Sequence, residues 1–268
     1  MDSETQAMTW ARPVERPFLK RIAEWMNRVS QSGNWLLTDF LTPREQFLLE
    51  HSLQSSGIEV ESFGGTSFCE RKRNFLMPGN WYPNEEDFQI ATICAIPLET
   101  SGLTHGSTLG SVLGTGLDRR KIGDILLQDG KAYVFCEREV ANFLLGEWRQ
   151  IGKTSISTSL ETDSVIWQPP VVEKEVVSVA SLRADAVLAQ SCHWSRSQAQ
   201  EAITRGRVSL NFIELTKPDA ELAIGDVLSV RGFGRVRFLN HLGKSKKERE
   251  RIEIGLNRSQ SSASQAKS

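Results

Sequence analysis

The sequence predicts an α+β protein, and three observations predict it. Helical and strand periodicities alternate along the chain, the strand-like runs are short, and Gly, Pro, Asn and Asp separate them at close intervals. The expected order is an N-terminal α/β lobe over residues 1–97, a central α/β sandwich over 98–170 and a small C-terminal α/β domain over 176–255. A disordered tail is expected at 259–268, where only Ser, Gln, Ala and Lys occur.

In the first lobe, Leu19, Ile22, Ala23, Met26 and Val29 share one helical face. Thr42-Pro43-Arg44-Glu45 reads as a cap followed by proline in the first turn of a second helix that runs to Ser52. Strands are expected over 58–63, 73–77 and 88–96, divided by Gly64-Gly65 and Pro78-Gly79-Asn80. In the central block, residues 107–113 and 137–147 read as helices. Residues 123–128 and 131–136 read as strands turning across Asp129-Gly130, and a further strand is expected over 155–166. Gln168-Pro169-Pro170 breaks the pattern, and the domain boundary is placed there. Beyond it, β-branched residues at 171–179 precede helices at 181–190 and 195–205. Short strands at 208–210 and 227–231 follow, with Gly225-Asp226 as a turn.

Composition narrows the function classes. The chain has 268 residues, 39% hydrophobic and 24% charged, without an apolar run long enough to span a bilayer. Met1-Asp2-Ser3-Glu4 places acids where a secretory signal carries bases, so a cytoplasmic location is expected, without membrane insertion. Cys69, Cys94, Cys136 and Cys192 are far apart and form no Cys-x-x-Cys pair, so reduced packing thiols are expected and no metal or other cofactor is implied. The net charge of −1 conceals a division: residues 1–182 hold 17 Lys and Arg against 24 Asp and Glu (−7), whereas residues 183–268 hold 15 against 9 (+6). A basic module on an acidic body suits a phosphate backbone.

Within that module, Ser195-Arg196-Ser197-Gln198-Ala199 supplies a capping hydroxyl and a first-turn arginine. This arrangement favours an anion at the helix N-terminus. Arg196 and Gln200 share a face, while Ala199, Ala202 and Ile203 form the apolar side. Arg205-Gly206-Arg207 closes the helix with two guanidinium groups around a glycine, and Arg183 opens the preceding helix. Arginines at helix ends and turns fit A-form RNA, which is read by shape and backbone. The competing reading is a solvated surface with Arg183–Asp185 or Arg205–Glu201 ion pairs.

These residues closely resemble the RNA-binding domain named after ribosomal protein S-four. The match runs through Arg183-x-Asp185-x-x-Leu188, Ser195-Arg196-x-x-Ala199, Ile203-x-x-Gly206-x-Val208, Gly225-Asp226-x-Leu228-x-Val230 and Gly234-Arg235. The departure is Asn211-Phe212, where the family usually has Asn-Gly. The resemblance implies an RNA-facing surface at Arg183, Ser195, Arg196, Gln198, Arg205 and Arg207, with Lys217 and Arg235 as weaker candidates. The stretch from Leu103-Thr104-His105-Gly106 to Arg119-Arg120-Lys121-Ile122-Gly123-Asp124 is similar to the central domain of the YlmH family. That family joins an N-terminal lobe, an RNA-recognition-motif-like domain and a C-terminal S-four domain; its cyanobacterial and plastid relatives are called photosystem II S-four domain proteins. The resemblance implies a non-catalytic factor for structured RNA, either rRNA or tRNA, at the large ribosomal subunit in translation or ribosome quality control. The alternatives are a photosystem II assembly factor acting through protein contacts and an RNA-modifying enzyme. The enzyme reading lacks support: pseudouridine synthases carry a catalytic domain with a Gly-Arg-Leu-Asp motif after this domain, and no such motif follows here.

Arg119, Arg120 and Lys121 form a compact basic turn suited to a phosphate backbone or simply to water, and Arg71-Lys72-Arg73 is a second such cluster. Gly106, Gly110, Gly114 and Gly116 lack a Gly-Lys-Ser/Thr ending and are read as helix-packing glycines, with His105 as a structural capping residue. Cys192-His193 is set aside as a nucleophile pair because adjacent helical side chains diverge. Trp167, Trp194, Phe212, Phe233 and Phe238 are aromatic candidates for base stacking. Most of them are assigned to the core, with Trp194 and Phe233 expected to be the most exposed.

Overall fold

Helix α1 (Arg16–Ser32) buries Leu19, Ile22 and Val29 and stops at Gly33, whose φ of 64° lets its N–H reach the Val29 carbonyl. The computed structural model describes residues 11–79, 81–99, 102–162, 167–168, 172–211 and 213–258. The tail expected at 259–268, Asn80, Phe212 and the last residues of the strand expected over 155–166 lie outside them. The chain falls into two compact units. One spans Pro13–Pro169; the other takes in the chain after it, together with Arg12.

In the first unit, β1 (Leu36–Leu37) precedes α2 (Pro43–Leu53), which starts with a reciprocal Thr42/Glu45 cap and proline in its first turn. Strands β2 (Glu59–Phe63) and β3 (Arg73–Met77) complete an antiparallel sheet in the order β1-β3-β2. All five residues of β3 are buried. The chain then runs β4 (Ile90–Pro97), α3 (His105–Leu113), β5 (Ile122–Gln128), β6 (Lys131–Glu137), α4 (Arg138–Glu147), β7 (Gln150–Ile151) and β8 (Thr154–Leu160). The sheet order β5-β6-β4-β8-β7, antiparallel throughout, is the split βαββαβ arrangement with a short added strand. Asp129 and Gly130, with φ of 52° and 74°, make the tight β5–β6 turn.

Period-two alternation sorts β6. Ala132, Val134 and Cys136 join the core shared with Ala91, Ile93, Leu144 and Trp148, while Tyr133 and Phe135 point to the other face. There Trp167 packs edge-on at 4.9 and 5.6 Å from the two ring centroids. Gly65 lies against Phe135 so closely that an added Cβ would sit 2.3 Å from the ring. The Arg71-Lys72-Arg73 run corrects the sequence reading. Arg71 and Arg73 are buried braces rather than an RNA surface. Arg71 donates to the carbonyls of Phe40 (2.9 Å) and Ile122 (3.1 Å), and Arg73 to those of Thr38 (2.9 Å) and Phe88 (3.0 Å). Arg73 lies in β3, which has no solvent face, and Arg71 is buried just before it, so both guanidinium groups serve main-chain acceptors buried around them.

The second unit contains β9 (Glu173–Val179), α5 (Ala184–Ser191), α6 (Arg196–Thr204), β10 (Val208–Leu210), β11 (Ile213–Glu214), β12 (Val227–Val230), β13 (Gly234–Lys244) and β14 (Glu250–Arg258). They form an antiparallel sheet in the order β11-β10-β12-β13-β14-β9. One apolar cluster joins Val187, Leu188, Ala199 and Ile203 of the helices to Val236, Phe238, Ile252 and Ile254 of the sheet. Sequence reading expected short strands after α6, whereas β13 and β14 run for 11 and 9 residues. Their alternation is masked by dense charge and by two register shifts, and β14 finds its second partner, β9, at the start of the unit. Asn211 takes the left-handed φ of 49° in the β10–β11 turn, and its side chain is held by Asp226 and by the Val227 amide.

Replacing Arg71 with methionine removes its buried hydrogen bonds to the carbonyls of Phe40 and Ile122. It is expected to destabilise the first unit by about 3 kcal/mol, read as a lower urea midpoint for its unfolding transition.

Candidate nucleic-acid interface

The basic surface of the second unit is organised around one buried acid. Arg183 is the residue before α5, and Asp185 lies in the first helical turn. The loop over residues 217–221 folds against this turn, so that the amides of Ala184 and Asp185 reach the carbonyls of Ala220 and Pro218 at 2.8 and 2.9 Å. The carboxylate of Asp185 has no exposed surface. It accepts from Arg183 Nε and Nη2 (3.2 and 3.0 Å), from Arg196 Nε and Nη2 (3.1 and 3.2 Å) and from Gln200 Nε2 (2.8 Å). Arg196 and Gln200, one turn apart on α6, therefore share a face as their spacing requires.

Burial pushes the Asp185 carboxyl up, but the hydrogen bonds from Arg183, Gln200 and Arg196 outweigh it and hold the group at about 2. The two arginine side chains remain 40% and 47% exposed, so the cluster keeps one net positive charge at an accessible surface.

Ser195 and Gln198 form a reciprocal cap in which each side chain accepts from the other's main-chain amide. At the far end of α6, Arg205 pairs with Glu201 at 2.8 Å on an exposed surface, and Gly206 takes φ of 66°. Such a pair is worth only about 0.3–0.5 kcal/mol, so a phosphate can displace it. Both ion pairs of the competing sequence reading are therefore present, and both arginines stay accessible. Arg207 is exposed and its carbonyl accepts from the Arg231 amide, which places a further exposed arginine beside it. Lys217 is exposed on the loop that folds against α5, and Arg235 is half-buried on β13. Sequence reading missed Arg231, which follows a strand end, and the exposed Lys246 and Lys247 between β13 and β14. The charge run at 244–251 was the available signal for the lysines.

The central cluster differs from the single outward-facing basic turn expected. Arg119 donates to the carbonyls of Ile122 and Gly123. Arg120 is exposed but held by Asp118, whose carboxyl this hydrogen bond keeps at about 2. Lys121 lies among Glu139 (2.8 Å), Glu137 (2.9 Å) and Asp39 (3.4 Å). Burial disfavours its charge, but those carboxylates more than compensate and raise its pKa.

The glycines of α3 also differ from expectation. A Cβ added at Gly106 or Gly110 would meet nothing, and at Gly114 it would meet only carbonyls of its own helix. Gly110 and Gly114 instead line an open groove of about 670 Å³ together with Ser107, Ser111 and residues 147–150. The α3 cap is Thr104 with Ser107, and His105 is the first helical residue. All four cysteines are buried, and burial pushes the thiols of Cys69 and Cys136 up to about 12. Phe233 and Phe238 are buried, and Trp194 packs edge-on to Phe233 at 6.3 Å, so these rings serve the core. Among the described residues no group of His, Cys, Asp and Glu is placed to hold a metal ion, and no helix is long and apolar enough to cross a membrane.

Residues 83–164 match the family described as "Putative RNA-binding domain in YlmH", and residues 182–228 match the S4 domain. The chain is 33% identical to the ribosome-associated protein quality control protein P2 of Bacillus subtilis, over 90% of this chain and 95% of that protein. It is also similar to the solved structure of the cell division protein ylmH from Streptococcus pneumoniae, with a TM-score of 0.52 and 26% identity. That match covers 56% of this chain and 93% of the other.

Because the folded-state pKa of Asp185 lies below its ordinary value of 3.8, its contribution is present above pH 4 and is lost as pH falls through about 2. Asp185→Asn is expected to lower the stability of the second unit by on the order of 2 kcal/mol at neutral pH and to remove this acid-dependent loss. Denaturant titrations at a series of pH values provide the check.

Proposed function

The chain belongs to the YlmH family, and from that premise we propose that it binds structured ribosomal or transfer RNA without catalysis, through the surface that α5 and α6 gather. The observation that carries this reading is the Asp185 cluster, which draws Arg183 and Arg196 from separate helices to one spot. Arg205, Arg207, Arg231 and Lys217 extend the basic surface, and Ser195 and Gln198 order the helix end next to Arg196. Guanidinium groups set in this way grip successive phosphates, and an A-form helix offers phosphates and 2′-hydroxyls at its surface rather than readable base edges. Arginine stays protonated and neither gives up nor takes a proton near neutral pH, so the chemistry of this surface is that of holding and orienting.

The Bacillus subtilis relative is described as a ribosome-associated quality control protein, which supports a cytoplasmic setting on the ribosome in quality control of translation; docking at the large subunit is part of the same proposal. The exposed Arg120 is the part of the central cluster that this reading retains, as a secondary phosphate contact. Arg235 is retained as a weaker contact at the start of β13.

Replacing Arg196, Arg205 and Arg207 together with glutamine leaves Arg183 paired with Asp185 while removing three charges. The affinity for structured RNA should fall by more than about tenfold and the salt dependence should flatten by about 3 in log–log slope. Unchanged binding at low salt, with the circular dichroism spectrum preserved, would remove this surface from consideration. Co-sedimentation with ribosomes should weaken steeply as salt is added; retention at high salt would point to docking through protein contacts instead.

A further inference from the structure

Three well-exposed aromatic rings of the described chain lie far in sequence from the basic surface. Trp35 is 53% exposed, Trp81 41% and Tyr82 77%. Trp35 and Trp81 each lie against the buried ring of Phe75, with centroids 4.8 and 4.9 Å away and tilts of 32° and 31°. Together with Glu86, Asp87, Gln89 and Arg138 they line a pocket of about 450 Å³ within the first unit. Indole surface left open beside a cavity is characteristic of a contact site rather than of a folding core.

We propose that this pocket docks a basic peptide segment of a partner protein, with a lysine or arginine side chain laid on Trp35 and Trp81 and paired with Glu86. The aromatic faces attract a cation through their quadrupoles. Asp87 is engaged in capping the Asn84 amide, but the Glu86 carboxylate has no partner among the described residues and is available to the incoming charge. Arg138 supplies donors for the carbonyls of the peptide backbone. The surroundings favour the same occupant: residues 13–169 hold 15 Lys and Arg against 20 Asp and Glu. Glu85, Glu86 and Asp87 follow one another along the turn that borders the pocket. An unstacked base would also suit the rings, but it brings a phosphate with it, and these carboxylates repel phosphate. The assignment does not depend on the RNA reading of the other unit.

The test uses the full chain and a Lys/Ser dodecapeptide, followed by calorimetry and by the indole N–H resonances of the tryptophans. Trp35→Leu and Glu86→Lys should each weaken the peptide by at least about threefold, and the two together by about tenfold. A Gln/Ser peptide should not bind, and Glu147→Lys, at an exposed acid away from the pocket lining, should leave the affinity unchanged. Glu86 is exposed and unpartnered, so Glu86→Lys keeps the test valid if Trp35→Leu does not fold. Peptide affinity indifferent to Glu86→Lys overturns the proposal. Displacement of the peptide by hexa-adenylate, with hexa-adenylate binding lost in Trp35→Leu, also overturns it and identifies a base-stacking pocket. Neither substitution should change the affinity for structured RNA, so failure here is distinguishable from failure of the α5–α6 surface.

Discussion

A single buried carboxylate organises the basic surface of the second unit. Asp185 is removed from water and balanced by two arginines and a glutamine drawn from either side of the α5–α6 turn. A buried charge is tolerated only when it is paired and hydrogen-bonded. Asp185 therefore dictates where Arg183 and Arg196 can be, and their exposed edges are fixed before any ligand arrives. Less rotamer freedom remains to be lost on binding than two independent surface arginines would lose. The same carboxylate reduces the local charge by one, so the site exchanges some attraction for geometric definition.

Arginine plays two opposite parts in this chain, and burial decides which. Arg71 and Arg73 serve main-chain carbonyls inside the first unit. Arg205, Arg207 and Arg231 remain in solvent in the second. Lys121 belongs with the first group, held among three carboxylates. A run of basic residues is thus no measure of a basic surface; the backbone acceptors and acids around each group determine its role. The first unit accordingly presents a different chemistry at its surface, acidic and with exposed indole, from the guanidinium-rich face of the second.

Much of the architecture was legible because local physics governs it. The Thr42-Pro43-Arg44-Glu45 cap, the Asp129-Gly130 turn and the Ser195/Gln198 cap all form where their residue types place them. The β13–β14 hairpin was not legible, since its length depends on pairing with β9, some seventy residues earlier, and charge interrupts its alternation. The spacing of the α3 glycines suits packing residues, but spacing alone does not reveal whether a neighbouring element arrives to fill the space; none does at Gly106 or Gly110.

What the sequence by itself determined is the charge division, the presence and order of the helices and the order of the motifs, all of which depend on neighbours within a few residues. Only the tertiary structure decided which charges face water. Whether Arg71 is a brace or Arg196 an exposed grip depends on carbonyls and carboxylates supplied by distant segments. The electrostatic cost of burial is set by that assembled environment and not by the residue's own identity.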